Sequence, residues 1–123
     1  MNQYEITAMC DADTGMSLNG YQQLALKTAI YPNDRNITYL ALALNGEAGE
    51  LADKVKKVLR DKDGQFYNVD ITAIALELGD TLFYAALLAK ALGYSFSDIA
   101  QLNIDKVHSR MERGTLHGEG DER

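Results

Sequence analysis

The sequence predicts an all-α protein, a four-helix-bundle-like fold, from three observations. Apolar residues recur with the period of an amphipathic helix in four segments. No segment shows the strict alternation of a half-buried strand. Turn-forming residues separate the four segments, namely Pro32, residues 61–64 and Gly93. Helices joined by such short connections pack as neighbours, so a helical bundle is expected.

Local signals set the expected limits of the four helices. Pro32 ends the first helix, and the sequence DKDG ends the second. Asp70 is the expected N-cap of the third helix, and Gly93 follows its end. The sequence Ser95-x-x-Asp98 resembles a capping box that opens the fourth. The expected helices are residues 17–31, 37–60, 70–92 and 95–113.

The length of 123 residues predicts one domain. Residues 1–16 are expected to form an N-terminal arm without a clear period. Residues 17–113 are expected to form the helical domain. Residues 114–123 form a charged, glycine-rich tail.

The charge balance restricts the classes of partner. Eighteen acidic residues against twelve basic ones give a net charge of −6. Duplex nucleic acid and anionic membrane surfaces attract basic surfaces, so neither is an expected partner. Cys10 is the only cysteine, which excludes an internal disulfide, and the start resembles no signal peptide. The longest apolar runs are expected to be far short of a bilayer span and are interrupted by charges, so a cytoplasmic protein is predicted.

The second helix carries charges beside its own apolar stripe. Glu47 and Glu50 lie one turn apart at the edge of that stripe, and Lys54 and Lys57 continue the same line. A charge run usually lies on the opposite, solvated face. Carboxylates at the boundary of a core are costly to desolvate unless a cation meets them.

The third helix repeats this pattern inside a nearly all-apolar sequence, which is typical of a buried helix. Glu77 and Asp80 lie one turn apart in its middle, and Tyr84 follows on the same line. Four such carboxylates on two facing helices can converge on Mg²⁺ or Mn²⁺, which take oxygen ligands. Lys54 and Lys57 would then hold phosphate oxygens beyond the metal. The structural alternative is a salt bridge from Lys54, Lys57 or Arg60 to the acids of the third helix.

The order of these segments resembles the all-α nucleoside triphosphate pyrophosphohydrolases of the MazG-like group. ExxE on one helix and ExxD on the next are separated by 26 residues. The resemblance spans about residues 17–123 and five blocks in order. The blocks are YQQLALKTAIY, LALNGEAGELADKVKKVLRD, ELGDTLFYAALLAKALG, IAQLNIDKVHSRMERG and the tail GEGDER.

The resemblance implies hydrolysis of a nucleoside triphosphate, ribose or deoxyribose, to the monophosphate and pyrophosphate with Mg²⁺. In the family, a water that the carboxylates help to deprotonate attacks the phosphate chain. Glu47 or Glu50 is the residue implied to orient this water. The implied metal ligands are Glu47, Glu50, Glu77 and Asp80.

Further positions carry over from the family by resemblance. Lys54 and Tyr84 resemble residues near the phosphates and the sugar, whereas Asn103 and Lys106 resemble a pair that reaches the nucleotide. Arg110 and Arg113 are candidates either to meet phosphate or to cap the end of their helix. Ordinary structural roles remain open for the same residues: a core ring for Tyr84 and a solvated helix face for Asn103 and Lys106.

The resemblance also implies a homodimer or homotetramer and a role in cleaning or adjusting the nucleotide pool. One position departs from related dUTP-hydrolysing enzymes, which often have an acid where Gly46 stands.

Two other classes of protein compete with the enzyme. A di-iron bundle needs two Glu-x-x-His pairs, and the nearest match is a single Asp105-x-x-His108. A non-catalytic helical module would use the acid pairs as salt bridges while binding a nucleotide or a protein. Magnesium-dependent release of pyrophosphate separates that module from an enzyme.

Overall fold

The computed structural model describes residues 15–115 and 117–121. Within these ranges the chain forms four α-helices, one 3₁₀ turn and no strand, so the predicted all-α fold is confirmed. The 3₁₀ turn covers Asn33–Arg35 and leads directly into the second helix. The helices are α1 (Leu18–Lys27), α2 (Asn36–Asp61), α3 (Asn68–Ala91) and α4 (Phe96–Glu112).

Two of the predicted helix limits are wrong. The first helix ends at Lys27, where Thr28 is the C-cap, and not at residue 31. Asp70 is not the N-cap of α3, because Tyr67 holds that position and Asp70 lies in the first turn. The Asp70 carboxylate instead accepts a 2.9 Å hydrogen bond from the backbone N–H of Tyr67. The predicted arm falls largely on residues 1–14, outside the described residues.

Helices α2 and α3 form an antiparallel hairpin, which is the most extensive helix–helix contact in the described chain. Two salt bridges fix its direction. Lys62, just after α2, pairs with Asp70 in the first turn of α3. Lys54, about two turns earlier on α2, pairs with Glu77, about two turns later on α3. The partners move apart in sequence as they recede from the joint, as antiparallel packing requires.

The hydrophobic core has two parts. Ala25, Leu40 and Leu87 join α1, α2 and α3, whereas Ala86, Ala89 and Phe96 join α3 to the start of α4. Both parts depend on the second half of α3. No residue in the first half of α3 is buried within one chain.

The N-terminus of α4 is capped by α1. The side-chain oxygen of Gln22 accepts from the N–H of Phe96 at 3.2 Å, and that of Asn19 accepts from the N–H of Ser97 at 2.9 Å. Ser95 accepts from the N–H of Asp98 at 3.2 Å, as the sequence predicted for a cap at this position. Three N–H groups that lack partners within the helix are thereby satisfied.

Gln22 is the central polar residue of this contact. It is 2% exposed, and its amide nitrogen donates to the carbonyl oxygens of Ala86 at 3.1 Å and Tyr94 at 3.2 Å. One side chain thus fastens α1 to α3, to the α3–α4 joint and to α4.

We expect Gln22→Ala to lower the free energy of unfolding by about 2–4 kcal/mol, because it leaves a buried N–H without an acceptor and opens a cavity. Urea denaturation measures this change. Gln23→Ala is the matched control, since Gln23 is the exposed neighbour on the same helix and exposed changes cost within about 0.5 kcal/mol. Equal stability of the two variants would contradict this account of Gln22.

Helix α3 is not the buried helix that its composition predicted, at least within one chain. Leu76 is 67% exposed, Leu78 59% and Leu82 41%. By length and composition alone α3 could cross a membrane, in contrast to the expectation that no run approaches a span.

An open apolar groove of about 500 Å³ runs along α3. Its lining residues are Ala75, Leu78, Gly79, Thr81, Leu82 and Ala85.

Candidate metal centre

Three of the predicted carboxylates converge between α2 and α3. Glu47 lies on α2, and Glu77 and Asp80 lie on α3. One carboxylate oxygen from each residue lies within 4.8 Å of the other two. Ligands on an octahedral Mg²⁺, with bonds of about 2.1 Å, are about 3.0 Å apart when adjacent and about 4.2 Å apart when opposite. The three oxygens therefore lie near the spacing of ligands on one cation, and an inward movement of the side chains would bring them onto it.

Glu77 is largely enclosed, with a side chain that is 13% exposed. Its Oε1 lies 3.3 Å from the Nζ of Lys54. Its Oε2 is buried and has no hydrogen-bond partner among the described residues. A buried carboxylate oxygen without a partner is costly, and a hard cation is the ligand that such an oxygen prefers. The donor set therefore fits Mg²⁺ or Mn²⁺.

Electrostatic crowding marks the same place. Partial burial raises the pKa of the Glu47 carboxyl above its ordinary value, and neighbouring negative charges raise this pKa further. Those charges belong to Glu50, Asp80 and Glu77. Carboxylates that lie close together without a compensating cation repel each other, and this repulsion favours protonation of one of them. A divalent ion would remove this repulsion.

Glu50, the fourth predicted ligand, is exposed and is not a member of the converged group. It lies near enough to Glu47 to raise the pKa of that carboxyl. Its role as a ligand, or as the residue that orients a water, stays a prediction. The structure therefore brings together three of the four carboxylates that the sequence singled out.

Lys54 and Lys57 line one cleft but have different partners. Lys54 pairs with Glu77, which is the salt bridge that the structural alternative proposed. The Nζ of Lys57 lies 2.6 Å from Oδ2 of Asp53 on its own helix. Both lysines line a cleft of about 240 Å³ between α2 and α3. Three lysines and two aspartates, Asp61 and Asp70, line the cleft, and Lys54 joins it to the carboxylate group.

Tyr84 lies at the border between this site and the core. It packs against the core residues of α1, α2 and α3, and its ring meets that of Phe83 edge-on at 5.2 Å. Burial raises the pKa of the Tyr84 hydroxyl, and the nearby Tyr39, Glu47 and Asp80 raise it further. Tyr84 is therefore a core ring, as the structural alternative proposed, and it also lies beside the carboxylates.

Tyr21 is a neighbour of the site that the sequence does not single out. Burial raises the pKa of its hydroxyl, and the charge of Asp80 raises this pKa further. Its ring lies 6.4 Å from that of Phe96. The spacing of α1 assigns Tyr21 to the inner face, but no local signal indicates that the inner face of α1 approaches Asp80.

The candidate residues of α4 lie in a different environment. Asn103 is exposed. Lys106 lies 3.4 Å from Oδ1 of Asp121 in the tail. The guanidinium of Arg110 is buried and donates from Nη2 to the carbonyl oxygen of Asp121 at 2.8 Å and to that of Gly120 at 3.3 Å. Contact of these residues with a nucleotide stays a prediction.

These cations hold the last described turn of the chain against α4. Hydrogen bonds from Arg110 and then Lys106 keep the pKa of the Asp121 carboxyl below its usual value. Arg113 instead donates from Nε to the carbonyl oxygen of Ser109 at 3.2 Å, within its own helix end. Arg110 therefore does more than balance the charge of a helix end, because it fastens the tail.

An antiparallel helix pair with converged carboxylates and an adjoining cluster of lysines defines a class of all-α proteins with a candidate divalent-cation site. Comparison with known proteins gives the family. The family model described as "MazG nucleotide pyrophosphohydrolase domain" matches residues 35–115. The chain is 42% identical over 114 residues to "Gene 37 protein" of Mycobacterium phage L5, covering 88% of this chain and all of that protein.

The chain belongs to the MazG family of nucleotide pyrophosphohydrolase domains. The matched range contains α2, α3 and α4, and so all of the candidate site residues. The name of the phage protein states no activity. No solved structure gives a significant match.

Proposed function

We propose that this protein hydrolyses a nucleoside triphosphate or deoxynucleoside triphosphate between its α- and β-phosphates, yielding the monophosphate and pyrophosphate. The carrying observation is the convergence of Glu47, Glu77 and Asp80 within a MazG domain. Glu47, Glu77 and Asp80 would hold Mg²⁺, with Mn²⁺ as a substitute. When bound, the cation neutralises phosphate charge and lowers the pKa of a water.

The residues around this group have separate roles in the proposal. Glu50 is solvent-exposed beside Glu47, where it is free to turn toward a water and accept its proton. The lysine-lined cleft receives the phosphate chain on the side of the α2–α3 joint. Tyr84 lies near Glu47 and Asp80, where its ring would limit the access of water to the carboxylates. The nucleoside is the part of the substrate that these residues leave unassigned.

The protein is further proposed to be a homo-oligomer in the cytoplasm. The open groove of α3 has small and apolar residues spaced by three and four positions, as in helices that pack against helices. A Cβ atom at Gly79 would meet nothing within 4 Å in the single chain, so packing within the chain does not require this glycine. A second copy covers the groove better than lipid does, because Glu77 and Asp80 lie in the middle of α3.

The experiment that tests the reaction is a panel of common and modified nucleoside triphosphates, each assayed with Mg²⁺ and with EDTA. Pyrophosphate and monophosphate are measured separately from phosphate and diphosphate. Pyrophosphate formed only with Mg²⁺ supports the proposal and ranks the substrates by base and sugar. A preference for modified bases would favour a house-cleaning role. A folded, cation-binding protein that hydrolyses no member would favour a non-catalytic nucleotide-binding module.

We expect Mg²⁺ or Mn²⁺ to raise the melting temperature, and the rise to grow with pH. The pKa of Glu47 is raised from an ordinary value of 4.5. The protonated Glu47 carboxyl therefore stabilises the folded protein below that pH value. This stabilisation is lost as the pH rises through the raised pKa of Glu47. A cation binds only the ionised carboxylates, so its stabilising effect should increase over the same interval.

Thermal denaturation with and without Mn²⁺, at pH values from below 4.5 up to neutral, measures this dependence. Glu47→Gln is expected to give a smaller and flatter dependence, since it cannot ionise. A melting-temperature shift that does not change with pH in the unaltered protein would contradict the assignment of Glu47 as a ligand.

A further inference from the structure

Lys54 lies between the carboxylate group and the lysine-lined cleft and belongs to both. Its Nζ lies 3.3 Å from Oε1 of Glu77. Its side chain also forms part of the wall of the cleft. With 40% of the side chain exposed, the ammonium has room to move from one side to the other.

The other two lysines of the cleft have partners that a cation at the carboxylate group would leave untouched. Lys57 pairs with Asp53, and Lys62 pairs with Asp70 at 2.5 Å. Lys54 differs because its partner is Glu77, a candidate ligand. A cation that binds Glu77 competes with Lys54 for the same carboxylate.

The two oxygens of Glu77 are not equivalent in this competition. Oε1 faces Lys54, whereas Oε2 is buried and has no partner in the described part of the chain. A cation arriving at Oε2 brings two positive charges close to the Lys54 ammonium. The divalent cation and the Lys54 ammonium then repel each other. This repulsion is relieved when an anion binds between them or when the ammonium moves away.

We propose that Lys54 exchanges partners during binding. It neutralises Glu77 in the cation-free protein, is displaced when a divalent cation binds, and then pairs with a phosphate of the substrate in the adjoining cleft. This inference rests on the proposed function. Cation binding to the protein alone is opposed by Lys54, and phosphate binding is supported by it. The same residue therefore strengthens the coupling between cation and phosphate, which is reciprocal by thermodynamic linkage.

The test compares Lys54→Met with Lys56→Met in two titrations. Lys56→Met is the matched control, because Lys56 is exposed, pairs with Asp53 at 2.7 Å and does not line the cleft. Both variants lose one positive charge from the same helix. The first titration adds Mn²⁺ to the nucleotide-free protein, and the second adds inorganic pyrophosphate at saturating Mg²⁺, both followed by calorimetry.

We expect Lys54→Met to bind Mn²⁺ about threefold to tenfold more tightly than the unaltered protein, and pyrophosphate about tenfold more weakly. Lys56→Met should change both affinities by less than about twofold. A merely structural salt bridge would not move the two affinities in opposite directions. Unchanged or weaker Mn²⁺ binding by Lys54→Met overturns the inference, as does unchanged pyrophosphate binding.

These outcomes separate the inference from the proposed function. If the unaltered protein binds no Mn²⁺ at all, the proposed function fails together with the inference. If Mn²⁺ binds and Glu77→Gln removes that binding, but Lys54→Met behaves like Lys56→Met, only the partner exchange is overturned. The melting temperatures of both lysine variants show whether either loses its fold.

Discussion

Glu77→Gln is expected to lower magnesium-dependent hydrolysis by at least about a hundredfold to a thousandfold. Glutamine has the shape of glutamate but lacks its negative charge, and it places an N–H donor where a cation needs an oxygen. Because the Glu77 side chain is only 13% exposed, no water can take its place easily. Initial rates of pyrophosphate release at saturating Mg²⁺ measure the effect.

The control for this change is Glu112→Gln, which removes the same charge from an exposed position at the end of α4. It should retain the rate of the unaltered protein within about twofold. The fold of Glu77→Gln should persist, since relief of repulsion from Glu47 and Asp80 offsets the lost pair with Lys54. Near-normal hydrolysis by a folded Glu77→Gln would remove Glu77 from the metal centre.

Leu78→Lys is expected to dissociate the oligomer into monomers. Leu78 is 59% exposed in the single chain and lines the α3 groove that a second copy is proposed to cover. Burial of an unpaired ammonium in an apolar contact costs several kcal/mol, which corresponds to a dissociation constant at least about a hundredfold higher. Sedimentation over a range of protein concentrations measures the state of association.

Ile30→Lys is the matched control, since Ile30 is 93% exposed and lies in the connection after α1. It should leave the state of association unchanged. If Leu78→Lys and the unaltered protein sediment identically, as monomers or as oligomers, the groove is not the contact between copies. Loss of hydrolysis together with dissociation would indicate that the site needs the second copy.

The four helices were predictable because their signals are local. Apolar periodicity and the turn sequences around Pro32, residues 61–64 and Gly93 are visible without any tertiary information. The end of α1 was missed because Ala29 and Tyr31 continue to face the core after the helix has ended. The hydrophobic pattern thus indicates which residues are buried, and it does not by itself indicate where the helical backbone ends.

The candidate metal centre was predictable in its residue types but not in its contacts. The one-turn spacing within each acid pair follows from helix geometry, and the separation of the pairs allows α2 and α3 to face each other. Which carboxylates converge depends on the register of the hairpin. That register places Glu47 with Glu77 and Asp80 and leaves Glu50 exposed.

Two further features depend on contacts distant in sequence. Gln22 binds groups 64 to 74 residues away, so nothing near it in the sequence marks it as a buried residue. The apolar character of α3 was predicted correctly from composition, but composition does not specify what covers a helix. Within one chain much of its surface remains exposed.

The proposed function depends most directly on a divalent cation bound by the converged carboxylates. Crystals of the unaltered protein grown with Mn²⁺, measured near the manganese absorption edge, locate such an ion by anomalous scattering. Under the proposed function we expect a peak between the carboxylates of Glu47, Glu77 and Asp80, with Lys54 turned away from Glu77. No peak at this position at saturating Mn²⁺, or an ion bound elsewhere with the Lys54–Glu77 pair intact, would contradict it.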